Sequence, residues 1–267
     1  MTIATVDDIA SGLAAPQDAN FLKTLTAPKA AGAFQSAWMA AGNPAAGVAS
    51  PAYTAGAGYT CDNTTTGALP YVNGSIQNWL ARLFMSCTQV GVIILIDRLW
   101  SCSGMGFAAA TYTITTAGSL PARITDNGVD VEAWVEQFVA AGAASGTLTF
   151  NYLNAATGAA KAGVIPAVVS APVAGQMQPI PMAAGDNGIR APVSVVTSAT
   201  WTSGSFGLTL GKRIAEIPIN VAGGGEVQDW AKLGLPKLPA GACIMALFLA
   251  ANTTAPIILG SFDIIDK

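Results

Sequence analysis

Residues 147–154 read TLTFNYLN, and this octet decides the fold class. Leu148, Phe150 and Tyr152 share one parity and Thr147, Thr149 and Asn151 the other. A two-residue period puts alternate side chains on opposite faces of a half-buried strand. Upstream, 109–116 (AATYTITT) alternates in the same way, with Tyr112 and Ile114 on one face. Between the two, 129–139 (VDVEAWVEQFV) fits either period. Positions 131, 134, 135, 138 and 139 suit a helix, whereas 131, 133, 135 and 139 suit one strand face. Gly128 before it and the Thr-rich octet after it favour the strand.

Working outward, 79–88 and 90–99 are rich in branched and aromatic residues, as strands are. Turn signals stand at 118–121 (GSLP), 125–128 (TDNG), 143–146 (AASG), 155–158 and 186–188 (DNG). Further strands are expected at 164–169 and 177–182, where Pro points to edges or strand ends. Others are expected at 192–200, 205–210, 215–221, 242–251 and 257–264. Gly at 223–225 marks a break, and 230–239 reads as a loop. Short strands with frequent turns predict an all-β, antiparallel sandwich or barrel over 70–267, with a β-sandwich or jelly-roll-like body, one large or two small sandwiches, as the reading taken.

Residues 1–69 have another texture. A short helix is expected near 5–10, and Asp18 is placed to cap a second helix through 20–26. From 30 to 61 no residue is charged, and Ala, Gly and Pro surround Phe34, Trp38, Met39 and Tyr53. Small residues allow close backbone approach, and the four large side chains give the segment something to bury. The expectation is an extended, partly helical N-terminal arm that docks on a capsid or a neighbouring subunit.

Composition excludes several kinds of function. Charged residues are 10 % of the 267, against roughly 25 % in ordinary soluble domains. A surface so poor in charge is poorly protected against association, so part of it is expected to be covered in an assembly. The net charge of −3, with Lys and Arg scattered, is no footprint for nucleic acid. With no His, Ser-His-Asp and Cys-His catalysis and the usual catalytic zinc sites are ruled out. Cys61, Cys87, Cys102 and Cys243 form no CxxC pair and are expected as buried free thiols, although an even count also permits disulfides. The densest apolar run, 90–96, is far short of a bilayer, so no membrane span is expected. Asp7 and Asp8 stand where a secretory leader needs basic residues, so folding in a reducing cytosol is expected.

Chemical motifs are few. Glu132 and Glu136, four apart, share a face of helix or strand, but read as solvent-facing residues rather than as an acid–base pair. GDNG (185–188) lacks the spacing of a calcium loop, and GGG (223–225) lacks the Lys and Ser/Thr of a phosphate loop. Asp97 and Arg98 adjoin in the most apolar strand and so point to opposite faces. Each is a candidate for ordering a loop or meeting a charge on another subunit. Trp100 reads as a core or interface anchor, and as a sugar-stacking platform with Trp79 only in second place. No catalytic residue, cofactor or metal ligand is expected. The candidate interface residues are Phe34, Trp38, Met39, Tyr53, Asp97, Arg98 and Trp100.

Several stretches together resemble structural proteins of tailed-phage virions. They are IILIDRLWSCSGM (93–105), VDVEAWVEQFVAAGAASGTLTFNYLNAATG (129–158), PMAAGDNGIRAPVSVVTSATWTSGSFGLTL (181–210), KRIAEIPI (212–219) and LGLPKLPAGACIMALFLA (233–250). The resemblance covers roughly 70–265 and lies in texture and order, with no diagnostic signature. It implies a non-enzymatic β-sandwich capsid decoration (cement) or minor capsid protein. Such a protein binds the major capsid protein on the outer face of the shell and is assembled in the bacterial cytoplasm. A lattice point favours a homo-oligomer, with a trimer the expected form. A tail or spike component binding host carbohydrate, a main shell protein and a carboxylate hydrolase are the other readings.

Overall fold

In the computed structural model, which describes residues 3–53, 59–74, 77–106, 109–114, 120–143, 146–198 and 202–267, the alternating octet forms a strand. The elements in chain order begin with α1 (Val6–Leu13), β1 (Gln17–Thr24), β2 (Phe34–Ser36) and β3 (Ala41–Asn43). Next come β4 (Asn78–Cys87), β5 (Gly91–Met105), β6 (Ala110–Thr113), β7 (Val131–Val139) and β8 (Leu148–Asn154). Then follow β9 (Ala160–Ile165), β10 (Gln176–Ile180), β11 (Ile189–Thr197), β12 (Ser205–Ile219) and β13 (Gly225–Asp229). The chain finishes with α2 (Trp230–Leu233), β14 (Lys237–Leu238), β15 (Ile244–Ala250) and β16 (Ile257–Asp266). The fold is all-β with antiparallel pairing. One sheet runs β13-β4-β16-β1-β3 with β14 beside β4, a second runs β6-β11-β8-β9, and β10-β2-β15-β5-β12-β7 close into a six-stranded barrel.

The chain divides into two compact units. Unit 1 holds Met1–Val48, Asp62–Asp97 and Ile214–Lys267. Its core lies between β1, β4 and β16 on one side and β5, β12 and β15 on the other, with Phe21, Leu83, Phe262, Leu95 and Phe248 among the buried side chains. Unit 2 holds Ala49–Cys61 and Arg98–Arg213. Its core joins Tyr112, Phe150, Tyr152 and Val195 of the second sheet to Leu99, Ala133, Phe206 and Leu208. β5 and β12 each contribute to both units.

Two expectations are corrected. Residues 20–26 are not a helix, because β1 spans Gln17–Thr24 with Ala19, Phe21 and Lys23 turned inward on the two-residue period. β1 pairs with β16 from Gln17↔Ile264 to Thr24↔Ile257 and with β3 at its other edge. Residues 17–24 and 41–43 therefore belong to this sheet, and 34–36 pair with β15, so these stretches are not held out as an arm. Second, 205–210 and 215–221 are parts of one strand. The Lys212–Arg213 pair needs no turn, because Lys212 reaches Asp126 at 2.9 Å and Arg213 reaches Glu132 at 2.9 Å. β10 pairs within the barrel, and Pro179, opposite Trp134, stands one residue from its end, as the strand-end reading of proline expects.

Other expectations stand. Thr5 caps α1 in a reciprocal box with Asp8, whose carboxyl is held below its usual pKa chiefly by the Ala4 and Thr5 hydrogen bonds. Residues 131–139 are a strand. The 125–128 turn needs its glycine: Gly128 has φ +87°, and a Cβ there would lie 2.1 Å from the Ile189 carbonyl oxygen. The expected turns at 118–121 and 143–146 lie partly outside the described residues.

Candidate interaction surface

The structure places most of the seven expected interface residues inside. Trp38 is buried with its indole N–H donating to the Val48 carbonyl at 2.9 Å. A Cβ on Gly47 would come within 2.6 Å of its ring, so the small residues of this segment fit around the chain's own tryptophan. Asp97 is buried and accepts from the Cys243 backbone N–H at 2.8 Å. Trp100 is buried too, which removes the sugar platform with Trp79. Phe34 and Met39 are half-buried, as is Tyr53, which meets Tyr112 edge-on at 5.3 Å. Trp38, Asp97, Arg98 and Trp100 thus offer no surface to a partner.

Arg98 instead meets a charge of its own unit. Its Nη1 lies 2.7 Å from Glu136 Oε2, with the two side chains 0 % and 1 % exposed. Thr209 Oγ1 donates to the same oxygen, and Arg98 Nη2 donates to Ser50 Oγ at 3.4 Å. Glu136 is therefore buried, contrary to the solvent-facing position expected from the sequence. β7 turns Trp134 and Glu136 to one side, and the buried guanidinium supplies the compensating charge that a buried carboxylate requires. Glu132 remains at the surface, held by Arg213 Nε at 2.9 and 3.1 Å. The two carboxylates thus serve separate ion pairs. An open groove of about 430 Å³ beside the Glu132–Arg213 pair is floored by Ala133, Ile180 and Met182.

Lys23 was not singled out in the sequence, yet its side chain is wholly buried on the core face of β1. Its Nζ donates to the carbonyls of Ala40, Pro44 and Ala45 at 3.2, 2.9 and 3.2 Å. The ammonium ties the segment after β2 to β1, and burial pushes its pKa from 10.5 down to about 8. Between these values the unfolded chain holds the Lys23 proton more firmly than the folded one. The Lys23 contribution to stability is therefore present above 10.5 and is lost as pH falls through about 8. Urea midpoints of wild type and Lys23→Met, compared across that window, should show wild type gaining on the variant as pH rises. A constant difference would contradict this assignment.

At the 186–188 turn, Asp186 accepts from the Tyr152 hydroxyl at 2.6 Å and from Asn154 Nδ2 at 3.0 Å. Burial, with the Asp186 hydrogen bond adding to it, pushes the Tyr152 phenol up to about 12. The GDNG stretch is a turn locked to β8. All four cysteines are buried thiols outside any disulfide, and burial pushes the Cys102 thiol up to about 12. Among the described residues no group of three or more His, Cys, Asp or Glu could hold a metal ion. No helix among them is long and apolar enough to cross a membrane.

The outer face of the unit 1 sheet is the feature that most suggests a partner. At one end α1 covers it, with Ile9 packed on Ala81 and Ile265. Next comes a charged row in register, Asp229–Arg82–Asp263–Asp18. Arg82 and Asp263 form an ion pair there, while burial, with a contribution from Asp18, raises the pKa of Asp263. Beyond that row the face carries no charge, and an apolar stripe crosses it among Ser, Asn and Thr positions. Val227 stands opposite Phe84, Leu259 opposite Leu22, and Ile257 lies two residues along the strand from Leu259. Val227, Leu259, Leu22 and Ile257 are 56, 45, 40 and 40 % exposed. Sequence reasoning missed this stripe because it placed β1 in a helix; once β1 is a strand, Leu22 falls on the outward parity.

No protein family, no curated protein and no solved structure matches the chain.

Proposed function

We propose that the chain is a non-catalytic structural component of a tailed-phage virion, acting as a decoration protein that binds the major capsid protein and stabilises the head. The observation that carries this reading is that a chain with only 10 % charged residues leaves an apolar stripe on its unit 1 sheet to be covered within an assembly. Exposed contiguous apolar surface marks interaction sites, and a contact repeated at every lattice point gains through multivalency what it lacks singly. The two-layered β packing within each unit suits a sandwich-type shell component, and the resemblance of 70–265 to virion proteins points the same way. The protein is placed on the capsid surface after assembly in the bacterial cytoplasm.

The test is stoichiometry. Quantitative mass spectrometry of purified virions should find the chain at a fixed ratio to the major shell protein, and heads lacking it should release their contents at lower temperature. Absence from virions would overturn the proposal. A copy number equal to that of the most abundant shell protein, with no other candidate for that role, would make the chain the main shell protein instead.

A further inference from the structure

We infer that the apolar stripe on the unit 1 sheet is a self-docking surface, occupied by the same stripe of a second copy of this chain. This deepens the reading of the protein as a repeated part of an assembly and rests on it for biological context, although its test is independent. The stripe is continuous. In the strand register Val227 and Phe84 are a direct pair, Leu259 and Leu22 are another, and Phe84 lies diagonal to Leu259 across β4 and β16. Neighbouring cross-strand positions of this kind are within side-chain reach, so the five side chains form one patch crossing four strands.

Charge selects the occupant. The rows that carry the stripe are Val227–Phe84–Ser261–Asn20, Gly225–Ser86–Leu259–Leu22–Asn43 and Ile257–Thr24, and none holds an ionised group. A strongly acidic or basic partner gains no ion pair there. The charged positions of this face lie to one side of the stripe, towards α1: the row of three Asp and Arg82, and Lys237 opposite Trp79. A second copy turned about an axis that crosses the strands lays stripe on stripe and carries its own acidic row to the opposite end. Like charges do not meet. Such a contact is isologous and gives two-fold symmetry, in place of the three-fold form expected from a capsid lattice point. On the unit 2 sheet, by contrast, exposed Val164 and Val193 sit on β9 and β11 with β8 between them.

Sedimentation and light scattering of the purified full chain should give twice the chain mass of 26.9 kDa. Leu259→Lys and Leu22→Glu, at exposed positions that leave the core untouched, should each weaken self-association by at least about tenfold. Circular dichroism unchanged from wild type would show that these variants fold. Because the four native thiols are buried, Leu259→Cys adds an accessible one. A short bis-maleimide should then convert this variant to a band of twice the mass on a denaturing gel, with Val164→Cys as a control that stays single. The inference is overturned if wild type has the mass of one or of three chains at every concentration. It is overturned equally if Leu259→Lys associates as wild type does, or if Val164→Cys cross-links as well as Leu259→Cys. Virion stoichiometry is read separately, so a monomer found on particles refutes the self-docking face alone, and a dimer absent from particles refutes the decoration role alone.

Discussion

Arg98→Met lowers the free energy of unfolding by about 3–5 kcal/mol, and adding Glu136→Leu restores most of that loss. The reasoning rests on burial. Both side chains are effectively removed from water, so a lone Glu136 carboxylate keeps its desolvation cost and loses the cation 2.7 Å away. Thr209 still donates to it, but one hydroxyl does not replace a guanidinium. Removing both charges leaves apolar side chains of similar bulk beside the Ser50 and Thr209 hydroxyls, of which Ser50 keeps Ser101 as a partner. The measurement is a double-mutant cycle from urea unfolding. Losses that simply add would show that the two groups are not coupled. Because the pair is shielded from solvent, its coupling should change little between low and high salt.

Phe262→Ala should cost about 3–5 kcal/mol through unit 1. Phe262 is 1 % exposed on the inner row of β16, tilted against Phe21 with ring centroids 6.4 Å apart. Truncation opens a cavity between β1 and β16 that the paired backbones cannot collapse to fill. The two variants separate the units. Hydrogen exchange in Phe262→Ala should accelerate first in 17–24, 78–87 and 257–266, and in Arg98→Met first in 131–139 and 205–213. The same amides accelerating in both would mean that the two cores melt as one.

Legibility in the sequence followed how much of each signal was local. The octet at 147–154 became β8 with its alternation intact, and the runs at 79–88, 90–99, 242–251 and 257–264 became β4, β5, β15 and β16 within a few residues. Two-residue periods needed no partner to be recognised. β1 was misread because Asp18 followed by Phe21 and Leu22 mimics a capped helix, and because Lys23 occupies a core-facing position that lysine seldom fills. What rescues Lys23 is three carbonyls from 40–45, distant in sequence. Glu136 was misread in the same way, since its cation comes from another strand. One signal was present: Arg98 interrupts the most apolar run of the chain, and a charge in such a place demands an opposite one nearby. Barrel closure has no local signature, because it depends on which strands become neighbours.

The pairing of β1 with β16 sets the order in which the protein can be made. A ribosome delivers residues 257–266 long after residues 17–24, so the inner neighbour of β1 is missing while the stretch between them is made. Unit 2, complete once Arg213 emerges, can mature while unit 1 still waits for its closing strands. During that interval the amide edge and apolar face of β1 are open to unwanted pairing, and a topology this non-local closes slowly. Slowing elongation beyond residue 213 should therefore lower soluble yield, and chaperones that shield nascent strands should raise it.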